Sequence, residues 1–370
     1  MLVKFRLIWL ILGGLSVSGL VQAQVVPGLY EARIVVENQN RDIRKEAIRS
    51  GLQDVLVRVS GRLAVLDALN LPDIARALDN ATRFAQQFRY QSRKVIKSLE
   101  DGTSQPAVEQ VLWVKFDEQA VDKLLRSNNL PVWGHTRPVT LVWLVVDSQG
   151  SRDLLNTHST HQARELIQNH AQLRGLPVQL PFYDLTDRAS LSVSDVWGNF
   201  EEAIMRTSMR YQPEAVLVGR MFQADTNIWQ ARWTLYQNGQ RQDWDVNGES
   251  VLASISPAID NTAETLAMRF AAVNEEQQSD QTMIQISGIR GMPAYNRVVK
   301  YLQSLSTVSS VAPQMVMENK TVFKLQTHSG RLALAQAIAL GHVLVPEDTQ
   351  QVTGEVARGL NAEMFYRLLQ

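Results

Sequence analysis

The sequence predicts an α+β fold made of several small sheet-plus-helix modules, the last of which is ferredoxin-like. Segments that alternate apolar and polar residues, typical of strands, are interleaved with segments whose apolar residues recur at helical spacing. A polar stretch, "NEEQQSDQ" at 274–281, lacks apolar anchors and predicts a linker. After the linker, the order strand, helix, strand, strand, helix, strand is the ferredoxin-like pattern.

Residues 1–23 predict a cleavable signal peptide. Lys4 and Arg6 precede an apolar run that ends near Leu20, and the small residue Ala23 predicts cleavage before Gln24. The run is too short and too interrupted by glycine and serine for a membrane span, which needs about 20 apolar residues. We therefore expect a periplasmic protein with no integral membrane span in the mature chain.

The composition excludes several kinds of site. The chain has 370 residues, 45% of them hydrophobic and none of them cysteine, so it can form two or three cores but no disulfide, catalytic thiolate or thiolate metal site. Lysine plus arginine equal aspartate plus glutamate at 37 each, and removal of Lys4 and Arg6 leaves 35 against 37, a charge of −2. Nucleic-acid binding is not expected, because phosphates require a concentrated basic face.

Residues 24–134 predict an N-terminal α+β domain. The opening "GLYEARIVVEN" alternates as a half-buried strand does, and the segment that follows has the spacing of an amphipathic helix. The predicted elements are a strand at 28–38, a helix that stops at Ser60 and Gly61, a helix from Asp73 to about Gln87, strands at 88–99 and 107–116, and a helix that Asp117 caps and that ends at Asn128 or Asn129.

Residues 135–273 predict a middle α/β domain. The run "PVTLVWLVVD" at 138–147 is typical of a strand that is buried on both faces of a sheet. The glycine in "LVGRM" marks a bulge or a close approach of the backbone within a strand. The other predicted elements are a helix at 162–173, a short strand in "GLPVQLPFYDL", a helix at 200–211, a strand at 214–222, two strands joined at Asn238 and Gly239, and a helix at 251–273.

Residues 282–370 predict the ferredoxin-like C-terminal domain with a tail. The predicted elements are a strand at 282–289, a helix with Pro293 in its first turn, a strand, a turn at 318–320, a strand, a helix at 331–340 and a last strand. The tail sequence "MFYRLLQ" is compatible with an added strand at the edge of the sheet.

Three tryptophans in the predicted hairpin raise the question of a binding face. Strand alternation places Trp229 and Trp233 on the apolar face, where we expect them to pack against the helix at 251–273. The alternative is that Trp229, Trp233 and Trp244 form an exposed platform, because exposed aromatic rings stack on sugars or peptides.

The connection at 180–200 is the best candidate interaction surface outside the hairpin. Asp184, Asp187, Asp195 and Trp197 lie there in a long segment before a helix, and irregular segments are often exposed and functional. The alternative is structural: Asp195 caps the next helix and Trp197 fills the domain. A hydrolase would need two carboxylates that converge on one bond, with Asp184 and Asp187 as candidates.

Metal and cofactor sites are not predicted. His158, His161 and His170 lie in one region, but no further ligand is spaced to complete a zinc site. The sequence contains no G-x-S-x-G, H-E-x-x-H, G-x-G-x-x-G or G-x-x-x-x-G-K-[ST] motif. We therefore assign no catalytic residue, no cofactor-binding residue and no metal ligand.

Two stretches, "LPFYDLTDRASLSVSDVWGNFEEAIMRTSMRYQPEAVLVGRM" and "YEARIVVENQNRDIRKEAIRSGLQDVLVRVSGR", resemble the exported proteobacterial family catalogued as domain of unknown function 2066. The resemblance covers nearly the whole mature chain and implies export but no catalytic residues, since the family has no assigned reaction. The middle domain is also similar to periplasmic docking modules such as the first domain of the Tol-system propeller protein and the curli secretion lipoprotein. Fold likeness alone does not fix function.

Together these observations lead us to expect a periplasmic, non-enzymatic adaptor that binds an envelope protein. One alternative is a protein that binds peptidoglycan or regulates the cell wall through the hairpin tryptophans. A second is a carboxylate-dependent hydrolase that uses the connection at 180–200. The sequence gives no indication of the oligomeric state.

Overall fold

The computed structural model describes residues 23–98, 104–148, 150–225, 228–271, 280–317, 319–327, 330–347 and 362–369. Helices and strands alternate along the chain, and the predicted α+β class is confirmed. The predicted signal peptide lies outside the described residues except for Ala23. Most of the predicted linker, at 274–279, also lies outside them, and its last two residues already belong to a strand.

The N-terminal part is an antiparallel sheet covered by helices. The sheet has the strand order β2-β4-β3, and α1 packs across it to form a core of its own. The elements are β1 (Ala23–Val25), β2 (Glu31–Val36), α1 (Arg41–Ser60), α2 (Pro72–Asp79), β3 (Ala85–Ser98), β4 (Ser104–Phe116) and α3 (Glu118–Ser127). Asp117 caps α3 as predicted, because its side chain accepts a hydrogen bond from the Ala120 N–H at 2.8 Å.

The predicted helix from Asp73 to Gln87 is wrong in its second half. α2 ends at Asp79, where the Asn80 side chain donates to the Arg76 carbonyl at 2.9 Å and closes the helix. A short 3₁₀ turn at Ala81–Arg83 follows, and β3 begins at Ala85. The pairing of β3 with β4, which runs along the whole length of both strands, outweighs the helical spacing of the apolar residues in this segment.

The middle part is a mixed sheet with helices on both faces. The strand order is β11-β10-β9-β6-β7, and β8 pairs with β6. The elements are β5 (Thr136–Pro138), β6 (Thr140–Ser148), β7 (Ser151–Leu154), α4 (Gln162–Arg174), β8 (Val178–Gln179), α5 (Leu185–Ser190), α6 (Val193–Trp197), α7 (Glu201–Ser208), β9 (Ala215–Asp225), β10 (Ile228–Gln237), β11 (Gln240–Gly248) and α8 (Val251–Phe270).

Each face of this sheet has its own core. α4 and α8 cover one face, and α6 and α7 cover β6 and β9 on the other. β6 is buried along almost its whole length, as its apolar run predicts. The hairpin turn has Asn238 at φ +51° and Gly239 at φ +71°, which is the left-handed pair that a two-residue turn of this type requires.

The C-terminal part is a five-stranded sheet with two helices. Its elements are β12 (Asp280–Ser287), α9 (Gly291–Ser304), β13 (Val308–Val316), β14 (Lys320–Thr327), α10 (Arg331–Ala339), β15 (Leu344–Pro346) and β16 (Met364–Leu368). The predicted βαββαβ order is present in β12 to β15.

The predicted edge position of the tail strand is wrong. β16 lies inside the sheet, parallel to β12 on one side and antiparallel to β15 on the other. Its alternate side chains Tyr366 and Leu368 are buried in the C-terminal core. A strand with one apolar face forms more backbone hydrogen bonds and buries that face more completely between two partner strands than at an edge. β15 therefore takes the edge position.

Buried arginines join the N-terminal and middle parts. Arg137 is fully buried and has its guanidinium 4.1 Å from the Trp133 ring. It donates hydrogen bonds to the backbone carbonyls of Gly134, Arg174, Gly175, Arg58 and Trp133. Burial lowers the pKa of Arg137 to about 9. β1 also pairs with β5, so the two parts share a strand pair as well.

Candidate functional site

The connection between β8 and β9 contains three short helices, and its acidic residues stabilise them. Asp184 caps α5 by accepting from the N–H groups of Thr186 and Asp187, both at 3.1 Å. Ser192 and Asp195 form a reciprocal capping box at the start of α6. Asp195 therefore stabilises the helix in which it lies, and not the following one.

Asp187 is fully buried, which corrects its prediction as a surface residue. Its carboxylate accepts from the Tyr183 N–H at 2.9 Å, from the Arg210 Nη1 at 2.8 Å and from the Tyr211 hydroxyl. Burial and this hydrogen bond raise the pKa of Tyr211 to about 12. Buried carboxylates are tolerated only when they are paired in this way, so Asp187 holds the connection together.

Arg210 links Asp184 to Asp187. It bonds both carboxylate oxygens of Asp184, at 2.8 and 3.0 Å. The hydrogen bond with Arg210 and those from the backbone hold the pKa of Asp184 well below its usual range. Two carboxylates that share one guanidinium form an ion-pair network, and this geometry does not resemble a pair that flanks a scissile bond.

Trp197 lies at the end of α6 and is half-buried. The Arg152 guanidinium lies 4.0 Å from its ring on one side, and the Phe222 ring centroid is 6.4 Å away. Trp197 therefore closes the edge of the α6 core, as the structural alternative predicts, and keeps part of its surface accessible.

The hairpin tryptophans do not form an exposed platform. Trp233 is fully buried and its indole N–H donates to the Ser254 carbonyl of α8 at 3.0 Å, which confirms the predicted packing and corrects its assignment to the candidate surface. Trp229 and Trp244 are half-buried and pack against the same core. All three lie on the α8 side of the sheet, away from Asp184, Asp187, Asp195 and Trp197.

A groove that the sequence analysis missed lies beside α7. The methionine groove, as we name it, has a volume of about 580 Å³ and lies between the end of α7 and the β10–β11 turn. It is lined by Glu201, Met205, Ser208, Met209, Gln212, Pro213, Glu214, Val216, Tyr236 and residues 237–241. The signal in the sequence is the pair Met205 and Met209, four residues apart and therefore on one side of the chain.

Exposed apolar side chains continue this surface toward α5. Met209 is 68% exposed and precedes Tyr211, whose ring lies 5.9 Å from that of Phe182. Phe182 is itself exposed, and Leu185 at the start of α5 is 84% exposed. Exposed apolar residues that adjoin a groove mark interaction sites more often than isolated ones do.

The largest cavity described, about 750 Å³, lies beside α3 and contains two pairs of titratable residues. The Tyr30 hydroxyl donates to Asp122 at 2.7 Å, and burial raises the pKa of both groups. His135 Nε2 lies 2.5 Å from Glu118, and this hydrogen bond raises the pKa of His135 and lowers that of Glu118. Each pair is satisfied internally, and most of the residues that line the cavity are polar or charged.

The three predicted histidines do not converge. His161 caps α4, its Nδ1 accepting from the Ala163 N–H at 3.1 Å, and His170 lies 2.9 Å from Asp260. Within the described residues no group of three or more histidine and acidic side chains is placed to hold a metal ion. In the same part of the chain, every helix is too short or too polar to cross a bilayer.

Comparison with known proteins gives one match. A family model described as Domain of unknown function (DUF8605) matches residues 23–134. Searches of curated proteins and of solved structures gave no match. The predicted resemblances to domain of unknown function 2066 and to periplasmic docking modules stay predictions. The N-terminal part is thus similar to a family without an assigned activity, and the match assigns no site residue.

Proposed function

We propose that the protein is a periplasmic, non-enzymatic adaptor whose methionine groove binds an amphipathic helix of an envelope protein. The observation that carries the proposal is the groove itself, with Met205 and Met209 exposed at its wall. An exposed apolar groove costs free energy in water, which a partner's apolar side chains would recover.

Methionine suits a docking surface because its unbranched side chain adapts to partners of different shape. The walls add Pro213 and the ring of Tyr236, while Glu201, Glu214 and Arg241 contribute charge. An apolar floor with a polar rim is the composition of many protein–protein interfaces. The volume of the groove accommodates a few large anchor side chains from successive turns of a helix.

A helix fits this surface better than an added strand does. The edge strand of the sheet next to the groove is β11, where charged residues recur at Arg241, Asp243 and Asp245. Charged side chains on an edge strand disfavour pairing with a second chain. The groove instead lies at the β10–β11 turn, where side chains rather than backbone groups are available.

Export and the lack of catalysis are the remaining parts of the proposal. The signal-peptide pattern at 1–23 supports the periplasm. The network of Asp184, Asp187 and Arg210 supports a scaffold role for the connection, because its carboxylates already have partners.

The proposal is tested by photo-crosslinking in cells. A photoreactive phenylalanine at Met209 is expected to crosslink to one envelope protein, and the same probe at Met292 is not. Met292 is the matched control, because it is 66% exposed on the separate C-terminal domain.

The purified partner then gives the quantitative test. Met209→Asp is expected to weaken its affinity at least tenfold, since a charge would have to be buried in the groove, and Met292→Asp is expected to leave it unchanged. Equal affinities for the two variants, or a monomer that crosslinks to nothing in the envelope, would exclude the adaptor function.

A further inference from the structure

The sheet of the middle domain has an open polar area on the face that carries α6 and α7. These helices cover β6 and β9, and Thr234 and Tyr236 of β10 are also buried on this face, whereas Arg232 of β10 and the charged side chains of β11 are left exposed. The register aligns polar residues across the strands: Arg232 is opposite both Arg220 and Asp245, and Thr234 is opposite Asp243. Cross-strand neighbours on one face lie about 5 Å apart, so these side chains form a continuous surface.

This area contains two adjoining cavities of about 440 and 430 Å³. Both are lined by Arg220, Arg232 and Asp245, so they form one depression, which we name the sheet groove. Its further lining residues include Trp197, Asn199, Phe222, Gln230, Thr234, Arg241, Asp243 and Asn247.

Two ion pairs fix the polar side chains of the sheet groove. Arg232 contacts both carboxylate oxygens of Asp245, at 2.5 and 3.2 Å, and Arg241 does the same with Asp243, at 2.8 and 3.1 Å. A guanidinium has five N–H donors and a carboxylate accepts about four hydrogen bonds, so each pair keeps donors and acceptors for a ligand. Alternating donors and acceptors match hydroxyl groups, which both donate and accept.

Aromatic rings lie at one end of the sheet groove. Phe222 is 37% exposed, and its ring centroid is 6.4 Å from that of Trp197. Arg152 covers one side of Trp197, which leaves Phe222 as the more accessible ring. An aromatic ring beside hydrogen-bonding side chains offers an apolar contact to the C–H face of a sugar.

Arg220 gives the sheet groove a positive charge that makes no direct ion pair within the described residues, although the pKa of the nearby Asp245 carboxyl is lowered by its hydrogen bond with Arg232 and, to a smaller extent, by Arg220. The Arg220 Nη1 donates to the Trp197 carbonyl at 2.8 Å, which orients the guanidinium. Three arginines (220, 232 and 241) against two aspartates (243 and 245) leave a net charge of +1 in the lining. A carboxylate on the ligand would supply the missing partner, since a guanidinium binds a carboxylate bidentately.

We propose that the sheet groove binds a saccharide that carries a carboxylate. The hydroxyls contact the two ion pairs, one ring face contacts Phe222, and the carboxylate pairs with Arg220. This site goes beyond the proposed adaptor function, and Arg241 is the one lining residue that it shares with the methionine groove. A nucleic-acid backbone is disfavoured, because Asp243 and Asp245 lie among the arginines.

The test compares two sugars that differ in one lactyl ether group, which carries the carboxylate. Calorimetric titration of the full mature chain with N-acetylmuramic acid and with N-acetylglucosamine is expected to show at least tenfold tighter binding of the acidic sugar. Arg220→Gln is expected to remove this preference, so that the two sugars bind the variant with equal affinity. Arg206→Gln is the control, because Arg206 is exposed on α7 and pairs with Glu202.

The outcomes distinguish this site from the adaptor proposal. No heat of binding for either sugar at tens of millimolar, or the same preference in Arg220→Gln as in the unmodified protein, would overturn the saccharide site. Met209→Asp is expected to keep sugar binding, so loss of affinity for the purified partner in that variant bears only on the methionine groove. A thermal unfolding curve of Arg220→Gln that matches the unmodified protein confirms that the variant is folded.

Discussion

Individual polar residues of this protein are held by specific partners even where they line cavities. Asp187 is buried against Tyr211 and Arg210, and His135 pairs with Glu118 beside the largest described cavity. Pairs of this kind shift pKa values without taking part in a reaction, so a shifted pKa marks a catalytic group only when substrate can reach it.

The His135–Glu118 pair predicts how stability depends on pH. The pKa of His135 is raised by its hydrogen bond to Glu118, so its contribution is fully present below the unfolded value near pH 6.5 and is lost as pH rises through the folded value. The pKa of Glu118 is lowered by the same bond, so its contribution disappears as pH falls below about 4.5. We expect the free energy of unfolding to be greater at pH 6 than at pH 9.

The contribution of this pair to the free energy of unfolding is expected to be less than about 1 kcal/mol, because the side chains of His135 and Glu118 are 34% and 53% exposed. Urea unfolding of His135→Gln at both pH values measures it. Glu118→Gln is expected to reduce the pH dependence equally, and the double variant no further. A pH dependence that persists unchanged in His135→Gln would show that other groups cause it.

At the scale of elements, the hairpin and its neighbour strand depend on one glycine. Gly219 in β9 lies opposite Trp233 in β10, and a Cβ at Gly219 would be 2.4 Å from the indole ring and 2.8 Å from Leu144. The glycine therefore provides the space that the buried indole occupies, which is the close approach that an isolated strand glycine predicts.

We predict that Gly219→Ala destabilises the middle domain by about 1–3 kcal/mol through overpacking. In a strand without this contact, the same change would stabilise by up to about 1 kcal/mol. Trp233→Phe in the alanine background is expected to recover part of the loss, measured by chemical unfolding as a double-mutant cycle. Additive effects of the two changes would mean that the ring and the glycine do not interact.

Local sequence patterns predict most elements but not the short helices in the connection between β8 and β9. β6, α4 and the β10–β11 turn follow from apolar runs, helical spacing and the Asn238–Gly239 pair. α5 and α6 have six and five residues, too few to show a helical period, and capping by Asp184 and Ser192 stabilises them instead. The predicted helix at α2 is longer than the observed one, because the helical spacing of apolar residues does not show that β3 pairs with β4.

The candidate sites were less predictable than the fold, for a geometric reason. The methionine groove forms only when α7 is brought beside a turn about 30 residues later, and the sheet groove requires the register of three strands. Residue type alone predicts a surface role for Trp233 and Asp187, and their burial depends on packing that a sequence pattern does not contain.

At the scale of the whole molecule, long-range contacts connect the three parts. Arg137 and Arg174 join the N-terminal and middle parts, and Arg174 also contacts Asp260 of α8 at 2.9 Å. Arg126 of α3 donates to the Ser306 carbonyl near α9 at 3.3 Å. The C-terminal sheet is completed by β16, which comes from the far end of the chain.

We predict that the C-terminal sheet depends on β16. Leu368→Asp is expected to abolish amide exchange protection in β12, because a buried unpaired charge costs several kcal/mol. Arg367→Asp on the same strand is the matched control, since Arg367 is exposed. Hydrogen exchange measured by mass spectrometry is expected to show loss only in Leu368→Asp, with α1 and β6 unaffected. Retained protection in that variant would place β16 outside the stable sheet.

The interior position of β16 has a consequence for biosynthesis. Before β16 docks, β12 and β15 lack the strand that lies between them in the folded sheet. Their unpaired backbone groups are then open to pairing with other nascent chains. A chaperone that shields β12 until Leu368 docks would therefore raise the yield of folded protein.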